Sequence, residues 1–264
     1  MDIADFSLDL FSLAGRNALV TGGNTGLGRA FSLALAKAGA DVFAVGLAGD
    51  DGTTRRLIEH AGRRMEFVAA DITQPGVPAA IVRRCVETLG SVDILVNSAG
   101  IALLSDVAEF GRDRWDPMVA VNLTAAFELA HEASKFMIEQ RSGKIINIAS
   151  LFSFLGGRRS PAYAATKAGL AMLADVLRAE LKAEGIAVTL VTPGVVDTPY
   201  FERRNSPYVR QHPRPISAQV VAAAIVDAVE RSRDAIILPG WLYVPARLKV
   251  SFPGLYRLLE SRFA

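Results

Sequence analysis

Short apolar runs recur along this chain. Between them lie longer stretches in which apolar positions return every three or four residues. The strand-like runs are Asn17–Val20, Asp41–Val45, Glu66–Ala69, Ile94–Asn97, Lys144–Ile148, Val188–Val191 and Ile236–Leu238. Some, such as Ile94-Leu95-Val96 and Ile145-Ile146, are apolar at consecutive positions, as strands buried on both faces are. Helical periodicity begins near Gly28, Thr53, Gly76, Arg112, Ser160 and Ser217. This alternation predicts an α/β fold, a doubly wound parallel seven-stranded sheet with helices on both faces. Right-handed crossovers then place ligands at the carboxyl ends of the strands. No linker and no internal repeat divides the chain, so residues 1–264 are expected to form a single domain.

The first strand leads into Thr21-Gly22-Gly23-Asn24-Thr25-Gly26-Leu27-Gly28, and a helical pattern opens at its end. Glycines let such a turn go where a Cβ would clash and let backbone N–H groups approach a pyrophosphate. A helix N-terminus adds partial positive charge at the same place. Alone, a glycine turn says little. Here Tyr163-Ala164-Ala165-Thr166-Lys167 follows later in the chain, and the pair is far more specific than either part.

Tyr163 and Lys167 are four apart on an expected helix and share a face. A free phenol titrates near ~10 and is a poor acid or base at neutral pH. A neighbouring ammonium favours the phenolate, and a phenol tuned this way protonates an alkoxide or deprotonates an alcohol while hydride moves. Ser150 ends an apolar strand upstream and is placed to hold the reacting oxygen. A surface pair on an amphipathic helix is the plainer reading of Tyr-x-x-x-Lys. The glycine turn and the strand-terminal serine weigh against it.

Together these residues resemble the short-chain dehydrogenase/reductase family over nearly the whole chain. The matching motifs are Thr21–Gly28, Asn97-Ser98-Ala99-Gly100, Val121-Asn122, Ser150, Tyr163 with Lys167, and Pro193-Gly194. The resemblance implies a single-domain Rossmann fold and an NAD(P)-dependent oxidoreductase that moves a hydride between a nicotinamide cofactor and a secondary alcohol or ketone. It implies a catalytic tetrad of Asn122, Ser150, Tyr163 and Lys167. Lys167 would also bind the nicotinamide ribose, and Asn122 would hold a water in a proton relay. Cofactor contacts carry over to Thr21, Gly22, Asn24, Thr25, Gly26, Leu27 and Gly28. Asp71 and Ile72 carry over at the adenine, and Asn97, Ala99 and Gly100 beside the fourth strand. Pro193, Gly194, Val196 and Thr198 would meet the carboxamide end and the phosphates. A homo-oligomer, dimer or tetramer, is implied as well. Two departures stand out. Ser98 replaces the usual second asparagine of its motif. The chain reads Ile236-Ile237-Leu238-Pro239-Gly240-Trp241 where many members carry a Val-Asp-Gly-Gly-like segment, which argues against simply carrying over a tetramer.

Phosphate-selecting members carry Arg or Lys before the second motif glycine or after the second strand. This chain has Thr25 and Gly46-Leu47-Ala48-Gly49 there. The absence of a basic residue tilts the expectation to NAD, with NADP the alternative. The acidic marker expected around Gly46 is missing too; Asp50 and Asp51, a few residues later, either reach round to the ribose or form a solvated turn with Gly49 and Gly52, and Arg55 or Arg56 would reverse the choice if the loop folds back. Asn24–Gly28 and Ile148–Arg158 are similar to sugar-acid dehydrogenases of the gluconate 5-dehydrogenase and 2-deoxy-gluconate 3-dehydrogenase kind, a likeness that stops near Pro193-Gly194. A small alcohol or ketone is therefore the expected partner, a sugar acid among the candidates. A 3-oxoacyl thioester or hydrophobic ketone reduced with NADPH is the alternative, and a catalytically silent nucleotide-binding protein is the reading from another class.

The segment near 198–216 carries Arg203, Arg204, Arg210, His212 and Arg214 among four prolines, and reads as a substrate-side loop or as a solvated connection. Guanidinium groups there suit a carboxylate or phosphate. The tail 240–264 mixes aromatic and basic residues. Lid, oligomer contact and membrane-surface helix compete for it; the first two are favoured, because Pro245 and Pro253 are expected to break a long amphipathic helix and so count against membrane docking. Basic and acidic residues nearly balance, 29 against 27, which points away from nucleic acid. No apolar run is long enough to span a membrane. Cys85 is the sole cysteine, so no intrachain disulfide forms. It is expected as a packed, inert thiol, consistent with a cytoplasmic location. The three histidines have no partners at metal-ligand spacing, so no catalytic metal is expected.

Overall fold

A computed structural model describes residues 13–198 and 213–263, with side chains as far as Leu258 in the last helix. Arg203, Arg204, Arg210 and His212 of the expected substrate-side loop lie outside the described residues.

Strand and helix alternate as the sequence predicts. The chain begins β1 (Asn17–Thr21), α1 (Gly26–Lys37), β2 (Asp41–Gly46), α2 (Thr53–His60), β3 (Met65–Ala69), α3 (Val77–Leu89) and β4 (Ile94–Asn97). It continues with α4 (Arg112–Val119), α5 (Ala125–Gln140), β5 (Gly143–Ile148), α6 (Phe152–Leu155), α7 (Pro161–Leu181) and β6 (Ile186–Pro193). The remainder is β7 (Val196–Asp197), β8 (Ile216–Ser217), α8 (Ala218–Arg231), β9 (Ala235–Leu238), α9 (Tyr243–Ser251) and α10 (Pro253–Phe263). Seven strands form one sheet in the order β3-β2-β1-β4-β5-β6-β9, and every neighbouring pair is parallel. The order reverses between β1 and β4, where an open parallel sheet leaves a crevice at its carboxyl edge.

Residue alternation along the strands feeds two cores. Ala18, Val20, Val42, Ala44 and Ile146 point to one face and pack with Phe31, Ala34 and Leu35 of α1 and Val221 and Ile225 of α8. Leu19, Phe43, Val45, Leu95 and Ile145 point to the other, against Ile81 and Cys85 of α3, Leu129 of α5 and Leu177 of α7. Both faces are covered, which explains the consecutive apolar positions. Burial, and secondarily the Asp93 charge, pushes the Cys85 thiol up to about 12, so it is inert as expected.

Three features depart from the sequence pattern. The helical stretch from Arg112 is two helices joined by a π-turn at Ala120–Thr124. A two-residue pairing of β7 with β8 closes the base of the Thr198–Pro215 segment. The tail is broken at Phe252, just before Pro253, as a proline break predicts, but Pro245 breaks nothing: it falls in the first turn of α9, a position that needs no N–H bond.

Gly28 fixes how α1 meets β1, because a Cβ there would lie 2.1 Å from the carbonyl oxygen of Gly22. Gly28→Ala is expected to cost at least about 2 kcal/mol. An unchanged midpoint in urea denaturation would refute this account of the turn.

Candidate active site

The β1–α1 turn and the end of β4 are pressed together at the crevice. Thr21 Oγ1 accepts from the backbone N–H groups of Ser98 (3.0 Å) and Ala99 (3.1 Å) and donates to Val96 O at 3.4 Å. Gly22 (φ 68°) sits where a Cβ would be 3.4 Å from Ala99 Cα, and Gly26 (φ 53°) faces open space. The first turn of α1 carries no acidic side chain to offset its positive end. A backbone turn with little side chain, an open glycine and an unopposed helix terminus is the donor set a pyrophosphate requires, so these residues fit a dinucleotide.

The expected cofactor residues divide by what their side chains do. Asn97 turns its side-chain amide into the interior, donating to Ala126 O (3.1 Å) and Asn147 Oδ1 (3.0 Å). Thr21 likewise spends its hydroxyl on β4. Asn24 is buried, with Nδ2 on Ala48 O at 3.3 Å. Thr25 and Leu27 flank the start of α1. Asp71 accepts from the hydroxyl and N–H of Thr73 and from Gln74, bonds that hold its carboxyl below the usual range. Ile72 is a core residue. Pro193 ends β6, Val196 is buried in the α8-side core, and Thr198 is half-buried. Gly194 leaves room for Leu242 of the tail, which a Cβ would meet at 2.7 Å.

The four expected catalytic residues come together at the carboxyl ends of β4 and β5. Lys167 is buried, and its Nζ donates to Ile148 O at 2.7 Å. Desolvation lowers its ammonium from an ordinary 10.5 to about 8. The same Nζ stands 5.9 Å from the Tyr163 ring centroid. Phe152 meets that ring edge-on at 5.9 Å, and its N–H donates to Ser150 Oγ at 3.3 Å, so α6 links serine to phenol. Ser153 Oγ ties α6 to α7 through Lys167 O at 2.9 Å.

Asn122 lies in the π-turn, a helix irregularity frequent at functional sites. Its Oδ1 accepts from Ile101 N (2.9 Å), and its Nδ2 donates to Ile101 O (2.9 Å) and Thr166 Oγ1 (3.2 Å). Both amide hydrogens are thereby taken, so the side chain braces the β4 loop against α7. Gly100 lies between, its absent Cβ 3.3 Å from Asn122 Oδ1 and 3.6 Å from Lys167 Nζ.

The β2–α2 loop holds what the sequence left open. Arg29 Nη2 pairs with Asp51 at 3.3 Å, while its Nε donates to Asn24 O and Thr54 Oγ1. Arg55 faces Glu59 and Glu66, and Arg56 donates to Thr53 Oγ1. Both carboxylate oxygens of Asp50 are buried and have no hydrogen-bond partner among the described residues. Two acidic residues after a glycine were the only sequence signal for that group.

A family model for short chain dehydrogenase matches residues 16–208. An uncharacterized oxidoreductase of Escherichia coli, YgcW, is 54% identical over 193 residues, 73% of this chain and 74% of its own length. A 2-dehydro-3-deoxy-D-gluconate 5-dehydrogenase of Bacillus subtilis is 39% identical over 192 residues, 72% of this chain and 74% of the relative. A crystal structure from Beutenbergia cavernae, of a provisionally assigned NAD(P) dependent gluconate 5-dehydrogenase with NADP bound at low occupancy, superposes with a TM-score of 0.80. That structure is 32% identical, and the match covers 89% of this chain and 99% of the other. With the parallel sheet, the crevice and these matches in hand, the chain belongs to the short-chain dehydrogenase family, the NAD(P)-dependent oxidoreductases that act on CH–OH groups.

Proposed function

We propose that this protein interconverts a secondary alcohol and ketone on a small sugar acid, with Tyr163 moving the proton. The observation that carries the chemistry is the Lys167 ammonium, buried on Ile148 O and beside the Tyr163 ring. An ammonium so placed favours the tyrosinate. In the oxidative direction Tyr163 Oη takes the alcohol proton, and the Ser150 hydroxyl donates to the same oxygen and fixes its position. A bound nicotinamide supplies the hydride acceptor at the carbinol carbon, and the reverse reaction returns hydride and proton to the ketone. Lys167 also serves the ribose hydroxyls, and Asn122 keeps α7 and the β4 loop in register. Gly22, Asn24, Thr25, Gly26, Leu27 and Gly28 offer backbone to the pyrophosphate. Asp71, Ile72, Asn97, Ala99 and Gly100 border the adenosine and ribose, and Pro193, Gly194, Val196 and Thr198 the carboxamide end.

The sugar-acid reading is supported by the relatives' names and by the arginine-rich segment near 198–216. Phe152 beside Tyr163 favours a hydrophobic ketone as the second reading. NAD is the preferred cofactor, because Asp50 presents a desolvated acceptor suited to a ribose 2′-hydroxyl and repulsive to a 2′-phosphate. Arg29 and Arg55 are already paired with acids, and Arg56 donates to Thr53. Exposed Phe127 on α5 and Met172 and Val176 on α7 support a homo-oligomer built on these outer faces. The unpaired thiol of Cys85 is compatible with the cytoplasm.

Tyr163→Phe is expected to lower turnover by about 10²–10⁴-fold while leaving cofactor affinity nearly unchanged. Full turnover in that variant overturns the assigned role. A panel of sugar acids and apolar ketones run with the wild type decides the substrate class, and activity confined to the ketones selects the second reading. Asp50→Asn is expected to shift the kcat/KM ratio of NAD to NADP toward NADP by about tenfold; an unmoved ratio removes Asp50 from cofactor selection.

Lys167 also predicts a stability slope. Its folded value of about 8 lies below the ordinary 10.5, so under pH 8 the buried charge opposes folding in full. As pH rises from 8 to 10.5 the folded chain sheds this proton first, and that penalty disappears. Wild type should therefore gain stability relative to Lys167→Met across that window in chemical denaturation. Parallel curves for the two proteins would contradict the lowered value.

A further inference from the structure

The tail presents a surface that the dehydrogenase reading does not use, and it lies beyond the family match at residues 16–208. Helix α9 has two unlike sides. Leu242, Ala246 and Lys249, spaced i, i+4 and i+7, face inward. Leu242 and Ala246 are buried, and Lys249 Nζ donates to Leu155 O of α6 at 2.6 Å and stands 5.6 Å from the Tyr256 ring centroid. The outward side carries Tyr243, Val244 and Val250, continued by Phe252 at the break and by Leu255 and Leu258 on α10. Val250 is 73% exposed, Val244 66% and Phe252 64%, and Trp241 just before α9 is 55% exposed. So many large apolar groups on one short segment exceed what an isolated surface normally leaves in water.

Charge says what covers them. Between residues 235 and 264 Glu260 is the single acidic residue, against Arg247, Lys249, Arg257 and Arg262. Arg247 and Arg257 are exposed beside the apolar groups. We propose that this face docks on the surface of an anionic phospholipid bilayer, with α9 and α10 lying in the interface plane. Val244, Val250, Phe252, Leu255 and Leu258 would enter the acyl boundary. Trp241 and Tyr243, apolar rings with a polar handle, suit the headgroup level, and Arg247 and Arg257 meet the lipid charges. Two short helices meeting at Phe252 lie on a membrane rather than cross it, and no described helix is long and apolar enough to span one. A second copy of the chain is a poorer occupant. A two-fold contact sets the same patch against itself, and Glu260 is the one acid there to receive Arg247, Arg257 and Arg262.

The test is flotation of the full chain with vesicles of phosphatidylcholine containing about 30% phosphatidylserine, against phosphatidylcholine alone. Binding is expected to be about 30-fold tighter on the anionic vesicles and to weaken with added salt. The double variant Val250→Ser, Phe252→Ser should lose flotation while keeping wild-type turnover in solution, since neither side chain belongs to the catalytic site. Failure of the wild type to float with anionic vesicles overturns the proposal. So does a fall in oligomer mass by light scattering in the double variant without lipid binding by the wild type, which would assign the face to a second copy. Neither outcome alters the assignment of Tyr163 and Lys167.

Discussion

A single buried cation organises the reactive half of this molecule. The Lys167 ammonium is out of water and bound to the last carbonyl of β5, Ile148 O, a position that costs desolvation energy and lowers its proton affinity. Much of the surrounding chain makes sense as the means of tolerating it. Gly100 offers no Cβ to crowd the amine. Ser153 anchors the Lys167 carbonyl, Asn122 clamps the loop after β4, and Phe152 packs on the phenol that the ammonium faces. The sheet supplies the rigid edge from which all of this is measured, because β4, β5 and β6 end together in parallel register.

The parts of this design that depend on periodicity were legible in the sequence. Seven strands buried on two faces leave consecutive apolar letters, and helices that cover them leave a spacing of three and four. Tyr163 and Lys167 were readable because a fixed helical spacing puts them on one side of α7. Hydrogen-bond commitments were not readable. Nothing in Ala120-Val121-Asn122-Leu123-Thr124 distinguishes a π-turn from an α-helix, yet that extra residue per turn sets where Asn122 points. Thr21 and Asn97 sit at ligand-facing motif positions, while their side chains serve β4 and the interior. Two-residue strands such as β7 and β8 have no period to detect. Pro253 does mark a break, whereas Pro245 read as one only because its position in the first turn of α9 is invisible until the turn is known.

The glycine turn and the β2–α2 loop are not independent parts. Arg29, on the second turn of α1, holds the Asn24 carbonyl, the Thr54 hydroxyl and the Asp51 carboxylate at once. The N–H of Thr53 and then the Arg29 charge keep Asp51 well ionised, so the staple persists at mildly acidic pH. Asp50, next to the stapled residue, is carried into its buried place by the same connection. Anyone wishing to graft the β2–α2 segment onto a sister enzyme, or to import one from it, must therefore transplant the matching guanidinium from the neighbouring helix. Otherwise the borrowed loop arrives without its anchor.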